Sequence, residues 1–180
     1  MPLVLSPETS ALVVVDFQER LFAAMPEARR TRALTCAQNL VWLAGELGIP
    51  ILASEQYPEG LGPTLSALPI DTRIPKLVFS AAREPAFATA LVALGRKTIV
   101  VAGMETHICV AQTCRDLAAD GFVPVLAADA CLSRTELDWQ LGCDRIRDDG
   151  GRVVTTEAVL FEWLGKAGGP RFKELSRRVR

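Results

Sequence analysis

The feature that most constrains the fold of this 180-residue chain is a repeated alternation of short apolar runs with longer segments of helical spacing. The runs are rich in β-branched residues and apolar on both faces, which is typical of strands buried between two layers of helices. They predict six strands, at Ala11–Val15, Ile49–Ala53, Lys76–Phe79, Thr98–Ala102, Val123–Ala127 and Arg152–Thr155. Such alternation with short connections favours right-handed crossovers and helices on both faces of the sheet. We therefore expect an α/β fold with three layers, α/β/α, around a mostly parallel sheet.

Helical spacing fills the stretches between the predicted strands. It predicts helices at 27–47, 84–94, 107–120, 135–149, 156–166 and 171–178. Gly48, Gly95 and Gly121 precede the second, fourth and fifth strands, and glycine is the residue that most often ends a helix. No linker or internal repeat interrupts the pattern, so the sequence predicts one domain over residues 1–180.

The stretch from Glu55 to Pro75 breaks this rhythm. It is rich in proline and glycine, with Pro58, Gly60, Gly62, Pro63, Pro69 and Pro75, and it has no clean helical period. A connection this long without secondary structure is uncommon in a compact domain and is usually functional. We expect it to form a pocket wall or a lid.

Charge and composition exclude several classes of function. Twenty Lys and Arg against 21 Asp and Glu give a net charge of −1, so no overall field draws the chain to nucleic acid or to an anionic membrane. No window holds the roughly 20 apolar residues of a membrane span, and the N-terminus lacks the positively charged region of a secretory signal. One basic cluster is interpreted as a solvated helix end, and it comprises Arg171, Lys173, Arg177, Arg178 and Arg180.

The cysteines point to a reducing compartment. There are five, Cys36, Cys109, Cys114, Cys131 and Cys143, and none is spaced as a CxxC pair. This count and spacing predict neither a zinc site nor a disulfide framework. We expect reduced thiols in a cytoplasmic protein.

Candidate functional residues lie just past the predicted strands, because open parallel sheets bind ligands outside the carboxyl ends of their strands. This rule selects Asp16, Ser54, Glu55, Lys76, the segment 103–109 and Asp129. Cys109 lies where a strand ends and a helix begins, and there the helix N–H groups and dipole favour a thiolate and can hold an oxyanion. The alternative is a buried structural cysteine.

Two charged residues in apolar surroundings are further candidates. Asp16 ends the apolar run 11–15, where its carboxylate lies at the sheet edge or needs a partner; a helix cap or a structural salt bridge is the alternative. Lys76 enters the apolar stretch 74–79, where a lysine extends its ammonium to solvent or pairs with an acid. If Lys76 met Asp16 near Cys109, a proton acceptor, a cation and a nucleophile would share one site.

Three segments resemble, in order and spacing, the Asp, Lys and Cys signatures of isochorismatase-like cysteine hydrolases. They are Val15-Asp16-Phe17-Gln18, Pro75-Lys76 and Gly103-Met104-Glu105-Thr106-His107-Ile108-Cys109-Val110. Two more segments, 54–64 and 129–134, are similar to the isochorismatase domain-containing subgroup. The resemblance spans nearly the whole chain.

The resemblance implies a fold, a site and a reaction. The fold is a six-stranded sheet in the order 3-2-1-4-5-6, with a cis peptide between Met104 and Glu105. Asp16, Lys76 and Cys109 are the implied catalytic triad, and the backbone amides of Glu105 and Cys109 the implied oxyanion hole. In the implied acyl transfer, Asp16 accepts the thiol proton, Cys109 forms a thioester, and Lys76 supports the charge distribution.

Departures from the family pattern narrow the chemistry. Isochorismatases proper cleave a vinyl ether and have no cysteine at this position. Cys109 therefore favours hydrolysis of a small carbonyl substrate, an amide, over vinyl-ether cleavage. Nicotinamidases build a metal site from an Asp and histidines after the second strand, whereas this chain has one histidine, His107, elsewhere. We therefore expect no metal and no other cofactor. His107 is either a supporting group beside Cys109 or a surface helix residue.

Some expectations concern partners and pocket residues. Gln18, Phe22, Tyr57 and Thr106 are candidate substrate-binding residues. Family members are commonly oligomers, which implies a dimer or larger assembly. The alternative to an enzyme is a catalytically silent binding or scaffold protein that retains the fold and the triad.

Overall fold

The computed structural model describes residues 5–179 of the chain. Its centre is a parallel six-stranded sheet with the order β3-β2-β1-β4-β5-β6. The strands are Ser10–Val15 (β1), Ile51–Gln56 (β2), Arg73–Lys76 (β3), Thr98–Met104 (β4), Val123–Leu132 (β5) and Arg152–Val154 (β6). The predicted fold class and strand order are confirmed. Residues 1–4 of the predicted domain, and Arg180 of the basic cluster, lie outside the described residues.

Helices cover both faces of the sheet. They are Glu19–Ala23 (α1), Glu27–Leu47 (α2), Pro58–Leu61 (α3), Pro85–Ala93 (α4), Ala111–Ala119 (α5), Glu136–Asp148 (α6), Thr156–Leu164 (α7) and Gly169–Arg178 (α8). A 3₁₀ turn at 81–83 and a π-helical turn at 106–110 complete the set. The long helices match the predicted ones, whereas α1, α3 and the 3₁₀ turn are too short to show a period in the sequence.

The two apolar faces of the sheet form two cores. Along β1, Leu12 and Val14 pack into one core with residues of α2 and α7. Val13 and Val15 pack into the other, with residues of α4, α5 and α6. This division follows from the alternation of side chains along a strand, and it explains why β1 is buried at every position.

The third strand lies earlier than the sequence indicated. It was predicted at 76–79, but the ladder with β2 runs from Arg73 to Lys76 and closes where the Tyr57 amide donates to the Lys76 carbonyl, at 2.9 Å. Beyond it the chain turns around the Lys76 ammonium, which donates to the carbonyl oxygens of Val78 and Phe79. Leu77, Val78 and Phe79 are therefore exposed rather than buried. The predicted strand does not form here, because the carbonyl oxygens of Val78 and Phe79 accept hydrogen bonds from Lys76 instead of joining the sheet.

The stretch 55–75 has more structure than predicted. It contains the end of β2, helix α3 and the start of β3. Its middle is tied down, because the Glu55 carboxylate accepts from the Thr64 amide and hydroxyl, both at 2.7 Å. Arg20 also donates to the Gly60 carbonyl, at 2.8 Å. These contacts are those of a fixed wall rather than a loose lid.

Two further observations bear on the expected setting. All five cysteines are free thiols. Within residues 5–179, none of the helices is both long enough and apolar enough to cross a membrane. The cytoplasmic location stays a prediction.

Candidate active site

Four side chains converge at the carboxyl end of the sheet. Asp16 directly follows β1, Gln56 and Lys76 end β2 and β3, and Cys109 lies in the π-helical turn after β4. Parallel strands bring their carboxyl ends to one edge, which is why residues 60 positions apart in sequence, Asp16 and Lys76, make direct contact here.

Asp16 and Lys76 form a buried ion pair. The Lys76 Nζ lies 2.8 Å from Asp16 Oδ2, and both side chains are fully buried. The other carboxylate oxygen, Oδ1, accepts from the Ser54 hydroxyl at 2.7 Å. Lys76 also donates to Gln56 Oε1 and, at 2.9 Å, to the Phe79 carbonyl. Buried charges are costly unless they are paired and hydrogen-bonded, and here both conditions are met.

The backbone of Asp16 is unusual for a residue other than glycine. Its φ is 52°, in the left-handed region, which non-glycine residues rarely occupy and which costs of order 1 kcal/mol. The Asp16 amide donates to the Ser54 carbonyl at 3.0 Å, and its own carbonyl accepts from the Gln18 amide at 2.8 Å. These bonds hold the turn in which the carboxylate is directed at Lys76.

The Cys109 thiol lies against the same group of residues. It is 6% exposed, and its Sγ lies 4.0 Å from Gln56 Oε1, the oxygen that also accepts from Lys76. Burial, and then the negative charge of Asp16, raise the pKa of the Cys109 thiol to about 12, although Lys76 acts in the opposite direction. This rise is opposite in direction to the shift that the start of the helix was expected to produce.

Gln56 is the residue at this site to which the sequence assigned no role. Its Oε1 joins Lys76 to Cys109, and its Nε2 donates to the Leu77 carbonyl at 2.8 Å. The available signal was its place at the carboxyl end of the second strand. Ser54, which that position did select, supports Asp16 instead of facing a ligand.

The turn before Cys109 has the form that the family resemblance implied. The Met104–Glu105 peptide is cis. The Glu105 carbonyl accepts from the amides of Ile108 and Val110, at 3.1 and 3.2 Å, which closes the π-helical turn. The amides of Glu105 and Cys109, the implied oxyanion donors, therefore lie at its start and within it.

The four candidate substrate-binding residues lie in different environments. The Gln18 amide group is committed to the backbone, since it donates to the carbonyls of Gln56 and Gly62 and accepts from the Gln56 amide. The Thr106 hydroxyl donates to the Leu132 carbonyl at 3.0 Å and is buried. Both side chains therefore hydrogen-bond to the backbone of neighbouring segments and support the structure around the site.

The two aromatic candidates also differ. Phe22 packs on Phe17, with ring centroids 5.8 Å apart, in the core that faces α2 and not in the core of Cys109. Tyr57 is half-exposed and lies at the edge of a cavity of about 470 Å³. That cavity is lined by Tyr57, Pro58, Glu59, Pro75, Lys76, Leu77, Val78 and Glu84. Of the four candidates, Tyr57 is the one that lines this cavity, whose lining includes Lys76 but neither Asp16 nor Cys109.

Cavity size alone does not identify this site. A larger cavity, of about 660 Å³, lies between α2 and residues 67–72, away from the ion pair and the thiol. Among residues 5–179, no three or more His, Cys, Asp or Glu side chains are grouped as a metal site would require.

Comparison with known proteins places the chain among related sequences. A family model described as the isochorismatase domain matches residues 10–158. Isochorismatase domain-containing protein 1 of Salmo salar is 34% identical over 179 residues, which cover 98% of this chain and 62% of that relative. The chain thus spans less than two thirds of the length of this relative.

Solved structures share the fold. The MAR1 ribonuclease of Caenorhabditis elegans superimposes with a TM-score of 0.89 at 28% identity, over 98% of this chain and 92% of that one. The YcaC gene product of Escherichia coli, described as an octameric hydrolase of unknown specificity, has a TM-score of 0.87 at 22% identity, over 92% and 84% of the two chains.

Proposed function

The chain belongs to the isochorismatase family of hydrolases. On this premise we propose that it is a cysteine hydrolase of small carbonyl compounds, with amides as the favoured substrate class. One observation carries the proposal: a buried carboxylate and ammonium are joined through Gln56 to the Cys109 thiol. An acceptor, a cation and a nucleophile in contact are the parts that nucleophilic acyl transfer needs. The chain's one histidine leaves no donor set for a nicotinamidase-type metal site.

The proposed reaction begins with the protonated thiol. As Cys109 Sγ attacks the carbonyl carbon, its proton passes to the Asp16 carboxylate, and the carbonyl oxygen becomes an oxyanion held by the amides of Glu105 and Cys109. The C–N bond then breaks, and the leaving amine takes the proton from Asp16. A water molecule then attacks the thioester carbonyl and gives a proton to Asp16. The C–S bond breaks, the sulfur takes that proton back from Asp16, and the carboxylic acid leaves.

The charge balance of the site supports this sequence of steps. Before attack the carboxylate and the ammonium cancel, and the thiol is neutral. Transfer of the proton from Cys109 to Asp16 moves the negative charge to the sulfur while Lys76 stays beside it. The net charge of the buried group does not change, so no uncompensated charge is created in a low-dielectric site. A thiol of high pKa is thus compatible with catalysis, because the base takes its proton only during attack.

Burial supports a small substrate. Cys109 exposes 6% of its surface, and Asp16 none. A compact acyl group can meet the sulfur with less rearrangement than a polymer. The C. elegans neighbour is described as a ribonuclease, but the net charge of −1 on this chain provides no general attraction for RNA. RNA is therefore included in the test as a competing substrate.

A second proposal is a catalytically silent protein that works through partner contacts. It is favoured by the exposed apolar segment Leu77, Val78 and Phe79, which are 74%, 44% and 54% exposed. Large apolar side chains grouped in solvent are typical of interaction surfaces. A homo-oligomer, a dimer or larger, is proposed on the same ground, and the E. coli neighbour is described as octameric.

The deciding experiment is a screen of small amides, ureas and esters, with RNA as a separate arm. The wild-type protein is compared with Cys109→Ala and with the matched control Cys36→Ala, whose thiol lies outside the site. We expect turnover of a small amide, an acyl adduct on Cys109 by mass spectrometry, and loss of both in Cys109→Ala alone. Turnover that survives Cys109→Ala contradicts the mechanism, and absence of any turnover favours the silent protein.

A further inference from the structure

The turn that carries Cys109 is held by the residues at the end of β5. The Thr106 hydroxyl donates to the Leu132 carbonyl at 3.0 Å. The residues that follow these two, His107 and Ser133, are also in contact, with His107 Nδ1 3.0 Å from the Ser133 hydroxyl. We call residues 132–134 the clamp. Its first two contacts secure the turn without touching the reacting group.

Arg134 makes the third contact of the clamp. Its backbone N–H and its Nε both donate to the same Glu105 carboxylate oxygen, Oε2, at 3.2 and 3.0 Å. The Glu105 side chain is 8% exposed, whereas that of Arg134 is 60% exposed. A nearly buried carboxylate needs a partner for its charge, and Arg134 supplies it from the surface.

Helix α6 confines the turn from the other side. A side chain at Gly142 would place its Cβ 2.9 Å from the His107 amide nitrogen and 3.0 Å from the carbonyl carbon of Thr106. The helix thus lies directly against the backbone of the turn. Residues 105–107 lie between this helix and the clamp, and the nearly buried Glu105 carboxylate is the group that Arg134 binds from the surface.

We infer that Arg134 is a positioning residue for the proposed hydrolysis, acting through Glu105 on the oxyanion donor and on the turn that carries the nucleophile. This inference rests on the proposed function. Glu105 contributes three groups: the N–H proposed to hold the oxyanion, the carbonyl that closes the π-helical turn, and the carboxylate that Arg134 binds. Fixing the carboxylate therefore fixes the peptide groups on both sides of it. A displacement of about 1 Å at reacting groups costs roughly 100-fold in rate.

The prediction separates positioning from general stability. Arg134 is mostly exposed, so its replacement opens no cavity, and the backbone N–H remains as one donor to Glu105. In Arg134→Met we expect kcat to fall about 10- to 100-fold while KM stays within about 3-fold. The melting temperature should change by no more than about 3 °C. Arg134→Lys, which retains the charge, should recover part of kcat.

A double-mutant cycle tests the coupling to Glu105. Glu105→Gln removes the charge that Arg134 binds, so adding Arg134→Met to it should cost less than about 3-fold in kcat. Arg147→Ala is the matched control, because Arg147 forms an exposed ion pair with Asp144 within α6 and this pair does not include a residue of the turn. Its kinetics should equal those of the wild type.

The outcomes distinguish this inference from the proposed function. If the wild type turns over an amide and Cys109→Ala does not, but Arg134→Met has wild-type kcat, the positioning role is refuted while the hydrolase stands. A rise in KM alone, or additive losses in the Glu105 and Arg134 variants, also overturns it. No turnover by the wild type, or turnover that survives Cys109→Ala, overturns both proposals.

Discussion

Replacing Asp16 with Asn is expected to make the Cys109 thiol more acidic and at the same time to stop hydrolysis. Asp16 is the proposed proton acceptor, but in the resting site its charge opposes ionisation of the neighbouring thiol. After burial, it is the largest cause of the raised pKa of Cys109, and Lys76 is the chief opposing charge. The Asn side chain has the same shape, so its oxygen can still accept from Lys76 and its amide can donate to the Ser54 hydroxyl.

The magnitude follows from the pKa of about 12, against an ordinary thiol value of 9.0. At pH 7.5 the first corresponds to about one thiolate in 30,000 and the second to about one in 30, a difference of about a thousandfold. Burial, the largest cause, persists in the variant, so only part of this difference is recovered. We expect ionisation to increase about tenfold or more, while loss of the base lowers kcat by about 100- to 10,000-fold.

The assay is alkylation of Cys109 by iodoacetamide between pH 6 and pH 10, followed by peptide mass spectrometry. Cys36 serves as an internal reference. The matched control is Asp116→Asn, which removes a carboxylate paired with Arg83 and Arg115 outside the site and should change neither the Cys109 alkylation rate nor turnover. Alkylation that slows in Asp16→Asn together with hydrolysis would refute the reasoning, because Asp16 would then activate the thiol in the resting state.

Three further variants test other parts of the structure. Lys76→Met leaves the Asp16 carboxylate buried without its charged partner, so the free energy of unfolding in urea should fall by about 3–5 kcal/mol. Adding Asp16→Asn should restore part of this free energy. If the double variant lost as much as Lys76→Met alone, the stabilising role of the ion pair would be contradicted. Gln56→Leu removes the oxygen shared by Lys76 and Cys109, and we expect kcat to fall about tenfold with a folded protein by circular dichroism; unchanged kcat would remove Gln56 from the site. Gly103→Ala would place a Cβ 2.1 Å from a β1 carbonyl oxygen at a φ of +144°, so the variant should lose more than about 3 kcal/mol or fail to fold, and a wild-type melting temperature would contradict the packing described for these strands.

Local pattern was a reliable guide where one element determines its own structure. The long helices and most strands were predicted within a few residues, because buried strands and amphipathic helices carry their periods in their own residues. The third strand shows where this fails. Leu77, Val78 and Phe79 have the composition of a buried strand, yet they are exposed, since the backbone of Val78 and Phe79 accepts from the Lys76 ammonium.

By itself the sequence determined the parallel α/β fold, and, through the family resemblance, the strand order and the candidates Asp16, Lys76 and Cys109. A parallel sheet collects the ends of its strands at one edge, so positions after strands are informative without coordinates. Only the tertiary structure decided which of these side chains contact one another. The contact of Lys76 with Asp16, the Gln56 oxygen between Lys76 and Cys109, and the hold of Arg134 on Glu105 all join residues 20 or more positions apart. The raised pKa of the Cys109 thiol has the same origin, because a pKa depends on burial and on the sum of nearby charges, and both are properties of the folded chain.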